Sequence, residues 1–362
     1  MARFLILLSH GERLCAALQH ALRYGLDDRL FLTLVLEPDL PVDDAAPLSH
    51  PPRAAAVPEH DRYFRGDRVR VRSAFEILRT LDNDATCEGV VFMPEMVDMV
   101  GQESRIHRRA ERTCVEGHGF RRMKNAVFLE DLRCDGSAHD GCQRDCLIFW
   151  HEAWLRPADE PQDDIGADIE AEALATLKAL KVQDNGHYNC QSTRLAQTTQ
   201  QLSQMHLPAL LQAVAERDMT VLGFTDVAMR AAVNKARGAL GLPQMGTIVG
   251  EPGKKTRGDL DLKAGDWVRV RDGDAIRATL GPNGRNLGLS FEPEMARLIG
   301  QVRQVEVVVE RMIHEETGRM ITLQRTVQLK DTYCRGVCAK LCPRANPLFW
   351  REAWLERVDA PA

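Results

Sequence analysis

Cysteines recur in this chain at a fixed distance. Cys134, Cys142 and Cys146 precede the segment Phe149-Trp150-His151-Glu152-Ala153-Trp154-Leu155, and about 200 residues later Cys334, Cys338 and Cys342 precede Phe349-Trp350-Arg351-Glu352-Ala353-Trp354-Leu355. Without an export signal, clustered thiols hold metals more often than they form disulfides. A hairpin residue before each cluster, Cys114 or His314, completes a candidate set of four. The first set is Cys114, Cys134, Cys142 and Cys146; the second is His314, Cys334, Cys338 and Cys342. Cys₄ and Cys₃His both close a tetrahedral zinc site, and such a site has no open position for substrate. Thiolates hold iron–sulfur clusters equally well, and Cys342-Pro343 matches the Cys-Pro end of bacterial ferredoxin runs. Two centres are therefore expected, zinc or iron–sulfur, with a structural or electron-transfer role.

The two sets are not copies. Only Cys134/Cys334 and Cys142/Cys342 are strictly shared, and Asn346 stands where Cys146 does. His139 is a substitute ligand in the first copy. Cys15, Cys87 and Cys190 have no counterpart and read as small buried side chains. On a helix, Cys142 and Cys146 would share one face.

These ligands need a frame, and the repeat extends well beyond them. Gly66-Asp67-Arg68-Val69-Arg70-Val71-Arg72 matches Gly265-Asp266-Trp267-Val268-Arg269-Val270-Arg271. Each is a turn followed by the period-2 alternation of a half-buried strand. Phe92-Met93-Pro94-Glu95-Met96 matches Phe291-Glu292-Pro293-Glu294-Met295, where proline and glutamate suit the start of a short helix. Matches run at an offset of 199 through Glu111-Arg112 and 200 from the cysteines onward, so the second copy gains one residue between, in a hairpin turn. Whether Cys114 faces His314 or Ile313 depends on where that residue lies.

Further strands are expected at 105–113 with 126–132 and at 304–313 with 326–329. A closing helix is expected to begin near Cys142 or Phe149 in repeat one and near Phe349 in repeat two, with the apolar stripe of the Phe-Trp segment shielding the metal from water. The fold class expected is mainly β with α, as tandem SH3-like barrel repeats. Each is closed by a Cys-rich metal site and a helix, with a helical segment between the repeats. The divisions are a small α/β arm at 1–37, with strands at 3–8 and 30–37 around a helix at 12–23, and a linker at 38–64. Repeat one follows at 65–157, helices at 158–258 (169–180, 193–205, 208–217 and 226–240), and repeat two at 259–362.

Read together, GDxVRVR, FxPEM, RCDG…C…C and FWxEAWL resemble an uncharacterised bacterial protein family. The resemblance covers about 65 to 156 well and repeat two more loosely, and it implies no activity. The Gly66–Arg72 stretch is similar to the start of the SH3-like barrel in the nitrile hydratase β subunit. That likeness implies a fold and no function.

Net charge is −5, which leaves no global basic field of the kind a non-specific nucleic-acid binder carries. Arg105, Arg108, Arg109, Arg112, Arg121, Arg122 and Lys124 cluster locally, so nucleic acid stays open as a partner, next to an unidentified protein. No stretch approaches the length of a membrane helix, and Phe4–Leu8 is too short for a signal-peptide core, so the expected compartment is the cytoplasm. Walker, GxGxxG, HExxH and GxSxG motifs are absent. The leading expectation is a metal-containing binding or accessory protein. A two-centre iron–sulfur electron carrier serving a biosynthetic enzyme, or nucleic-acid binding through the basic face, are the alternatives.

Overall fold

The protein was analysed as a computed structural model describing residues 61–201, 221–253, 255–336 and 342–361. These fall within one compact unit. The expected α/β arm, the linker up to residue 60, the helix at 208–217, Cys15 and Cys338 lie outside the described residues.

Each repeat opens at the anticipated Gly-Asp turn. Asp67 Oδ2 accepts the Phe64 N–H, and Asp266 Oδ2 accepts the Lys263 N–H, each at 2.8 Å. The strand that follows buries its valines completely: Val69 and Val71, then Val268 and Val270. It sits inside a five-stranded antiparallel sheet. In repeat one the order is Leu147–His151, Ala126–Arg133, Glu103–Arg109, Arg68–Val71, Leu155–Pro157. In repeat two it is Pro347–Arg351, Thr326–Tyr333, Val302–Val308, Trp267–Val270, Leu355–Arg357. Both sheets shift register at equivalent places, between Ile106 and Arg108 and between Val305 and Val307. Such bulges increase local twist and curl a sheet. The molecule is thus mainly β, with two curled antiparallel half-barrels.

The expected closing helix does not form. Leu147–His151 is a strand, Glu152–Trp154 a single 3-10 turn, and Leu155–Pro157 another strand. All five residues of the first strand are buried. A short continuous apolar run fits a strand covered on both faces as well as it fits a helix. Here pairing with Ala126–Arg133 decides for the strand. The tryptophans become the largest core groups: Trp154 Nε1–H donates to Thr80 Oγ1 at 2.8 Å and Trp354 Nε1–H to Thr279 Oγ1 at 2.9 Å.

Short helices that the pattern did not announce follow each first strand. Ala74–Leu78 starts in a capping box between Ser73 and Glu76, and Gly273–Thr279 starts on the Asp272 side chain. Between the repeats lie the helices Ala167–Lys178, Gln191–Thr198 and Val221–Ala239. The first two do not form a separate bundle. Their Ala173, Leu177 and Leu195 belong to the core of repeat one. The second ends seven residues earlier than anticipated, because Gln200–Gln201 pairs with the Gly119–Arg122 strand. Among the described residues, no helix is long and apolar enough to cross a membrane.

Candidate metal centre at the repeat junction

Cys134 to Cys146 form the loop between two neighbouring strands of repeat one. Gly136 turns the chain at φ +71°, and a Cβ there would lie 2.1 Å from Cys142 O. The loop closes through Gly141 N–H to Gly136 O at 3.0 Å and Cys134 N–H to Cys146 O at 2.8 Å. Cys142 and Cys146 are therefore on a folded-back loop, and the i,i+4 helical face is not used. Repeat two repeats the design: Gly336 has φ +72°, its added Cβ would meet Cys342 O at 2.4 Å, and Cys334 N–H donates to Asn346 O at 2.8 Å.

Glu95 does more than start a helix. Its Oε1 accepts the Ala138 N–H at 3.2 Å and lies 2.5 Å from His139 Nδ1 and 3.8 Å from Cys134 Sγ. Glu294 also docks on the second loop, at a different position, accepting the Arg335 N–H at 2.7 Å. Donor atoms of Glu95, Cys134 and His139 all lie within 4.8 Å of one another. His139 is 1% exposed, and its Nε2 has no hydrogen-bond partner, nor has Glu95 Oε2. A carboxylate on Nδ1 fixes the tautomer that leaves Nε2 as a ligating lone pair.

His139 shares a small cavity of about 30 Å³ with Cys134, Cys142, Cys146 and Cys190. Burial raises the thiol pKa of Cys134 and Cys142, and lifts Cys190 to about 11; Cys146 adds a smaller upward push to all three. Cys146 Sγ also lies 3.4 Å from Ser192 Oγ.

The sequence sets of four are thus re-sorted. Cys134, Cys142 and Cys146 come together as anticipated, but Cys114 does not join them. The hairpin bearing Cys114 crosses to repeat two, where its N–H donates to Cys342 Sγ at 3.2 Å. Arg344 Nη1–H donates to Cys114 O at 2.9 Å. The hairpin of repeat two makes the reciprocal contact: Ile313 N–H donates to Cys142 Sγ at 3.3 Å, and Arg144 to Ile313 O at 3.0 Å. Ile313, not His314, is therefore the counterpart of Cys114. The extra residue lies in the tip, because the equivalent pairs Cys114↔Phe120 and Ile313↔Met320 enclose five and six residues.

Cys342 is held below the usual thiol range, first by a hydrogen bond from the Cys114 thiol and then by Arg344. His314 Nδ1 accepts the Thr317 N–H at 3.3 Å, and the ring lines a larger cavity beside Cys114 and Cys334. Cys190 is the ligand candidate that the sequence reading passed over. It occupies the cap of the Gln191–Thr198 helix, outside the recurring cysteine clusters.

Other acids and bases that recur or cluster in the sequence make structural contacts. Glu152 accepts the Tyr63 N–H at 2.8 Å and pairs with Arg109 at 2.7 Å, both side chains buried. Glu352 accepts the Leu262 N–H at 3.2 Å. Arg121 donates to Thr199 Oγ1 at 2.7 Å and to Ala196 O at 3.0 Å. Arg105 donates to Gly66 O at 3.3 Å, so at least three of the seven basic residues bond within the fold. No family model, curated protein or solved structure matches this chain.

Proposed function

We propose that the protein is a tandem-repeat metal-binding protein with a binding or accessory role, in which each repeat is an SH3-like barrel carrying a metal centre. In repeat one the metal is zinc. His139 Nε2 and thiolates drawn from Cys134, Cys142, Cys146 and Cys190 hold it, and Glu95 fixes the imidazole. The observation that carries this reading is the His139 ring: tied to Glu95 at Nδ1, unpartnered at Nε2 and buried beside thiols. A buried polar atom without a partner costs about 1–3 kcal/mol, and metal ligation would remove that cost. The second centre is proposed on Cys114, Cys334 and Cys342, with Cys338 and His314 as further donors.

A donor set closed by protein ligands leaves no place for substrate, which favours a role in holding the repeat junction rigid. Four thiols around one cavity also favour a second reading, an iron–sulfur centre in electron transfer. Anaerobic purification followed by metal analysis separates the two. Colourless protein with zinc that falls on His139→Ala and Cys134→Ser substitution supports the first reading. Brown protein with iron and sulfide supports the second. Full metal content in both variants would defeat the proposed site.

A further inference from the structure

The two repeats differ in what covers one face. In repeat one the helix Gln191–Thr198 lies over it. The Gln191 side chain accepts the Phe149 N–H and donates to Phe149 O, both at 2.8 Å, and donates to Val91 O at 2.8 Å. At the other end, a Cβ on Gly89 would meet Thr198 Cβ at 2.9 Å. Under this cover Val90, Val91, Met93 and Phe149 are buried, Phe149 to 2% exposure.

Among the described residues, no segment takes that place in repeat two. The counterpart of Gly89, Gly288, has nothing within 4 Å of an added Cβ. Leu289, Ser290 and Phe349 are only half-buried and Glu292 is exposed. Gln328↔Phe349 repeats the register of Phe128↔Phe149, so the peptide groups of Phe349 face outward as those of Phe149 do. The result is an open groove of about 770 Å³ with Leu289, Met295 and Phe349 on its floor, within the size range of ligand sites.

Arg144 and Arg344 line the groove but are paired with Glu315. Of the other charges, Glu292 and Glu294 stand at the end matching the start of Gln191–Thr198, Glu116 lines the groove as well, and the remaining arginines are Arg257, Arg285 and Arg351. Arg351 replaces His151, and Leu287 replaces the Glu88 that pairs with His151 at 3.1 Å. Arg351 is 3% exposed, bonds Gln324 O, Thr326 Oγ1 and Leu287 O, and has an unpartnered Nε. Acids at one end and arginines at the other complement a helix running in the direction of Gln191–Thr198, positive end first.

We propose that this groove docks a short amphipathic helix from a partner protein. The partner helix carries an amide side chain near its start, to bridge the Phe349 peptide groups, and carboxylates at its end, to meet the arginines. Cys114, His314 and Cys334 line the same groove, but the docking argument uses none of them.

The probe is a helix-stapled peptide of the Tyr188–Thr199 sequence with Cys190→Ser and two glutamates appended, titrated against the full chain by fluorescence anisotropy. Saturable binding is expected, weakened about tenfold or more by joint Arg257→Glu and Arg285→Glu substitution. Lysines in place of the two glutamates should restore binding to that variant. Circular dichroism and thermal melting establish that the variant is folded. No binding of the stapled peptide, or equal binding to a folded variant, overturns the proposal. A dimer in solution that the same substitutions abolish places a second copy in the groove and overturns it as well.

Discussion

Cys114 and Cys342 are 228 residues apart in sequence, yet the N–H of the first donates to the thiol sulfur of the second at 3.2 Å. The equivalent pair, Ile313 and Cys142, makes the same bond at 3.3 Å. Each repeat lends its hairpin to the other's cysteine loop, so the chain is an internal pseudo-dimer with exchanged arms. The exchange also explains why Cys114, grouped by sequence with Cys134, Cys142 and Cys146, lies against Cys342. N–H donation to sulfur orients a ligating thiol, and that orientation here comes from the neighbouring repeat.

The exchange is locked by a buried charge cluster. Glu315 pairs with Arg344 at 2.7 Å and Arg144 at 3.1 Å and accepts the Glu116 N–H at 3.0 Å. Both arginines hold its carboxyl below the usual carboxylate range although burial pushes the other way. Glu315→Ala leaves the buried Arg344 and the half-buried Arg144 without their shared carboxylate. The expected loss is about 3–5 kcal/mol, read from the urea midpoint. Adding Arg344→Met should recover part of it, and a loss under about 1 kcal/mol would show that the lock is not structural.

Gly136 offers a test of the loop itself. An alanine there meets the left-handed penalty of about 1–2 kcal/mol and a carbonyl 2.1 Å away. Gly141 has the same φ of +71° with open space around it. Gly136→Ala should therefore destabilise more than Gly141→Ala and lower metal content, while Gly141→Ala keeps its metal. Thermal melts and metal analysis of the pair check this, and equal behaviour would mean the close approach to Cys142 does not matter.

Much of the frame was legible because it rests on local signals. The Gly-Asp turns and the alternation at Val69 and Val71 announce their strand, and Pro94 announces its turn. The Phe149-Trp150 run was misread because periodicity cannot separate a fully buried strand from a buried helix. The helices at Ala74 and Gly273 were missed because five and seven residues are too few to show a period. The crossing of Cys114 had no local signal at all. Both cysteine loops lie close in sequence to their own hairpins, and only tertiary packing assigns each hairpin to the opposite loop.

Cys190 and Cys114 now make opposite predictions. Cys190 lines the cavity with Cys134, Cys142 and Cys146, whereas Cys114 touches Cys342. Cys190→Ser should lower the metal held by repeat one, measured as metal per chain in a Cys334→Ser background that disables the second centre. Cys114→Ser in that background should leave it unchanged. The reverse pattern would restore the assignment made within a single repeat.

His107 provides a pH handle away from the thiols. Burial, aided by Arg108 and Arg65, pushes its pKa from 6.5 down to about 4. The folded protein thus keeps the ring neutral while the unfolded chain takes up a proton near its ordinary pKa. The unfolded state binds more protons in this window, so stability rises with pH across it. The contribution is complete above about 6.5 and is lost as pH falls towards about 4. His107→Gln removes the titrating group. Its melting temperature should fall less than that of the parent between about pH 7 and about pH 5. An identical fall in both proteins would mean that His107 is not neutralised by the fold.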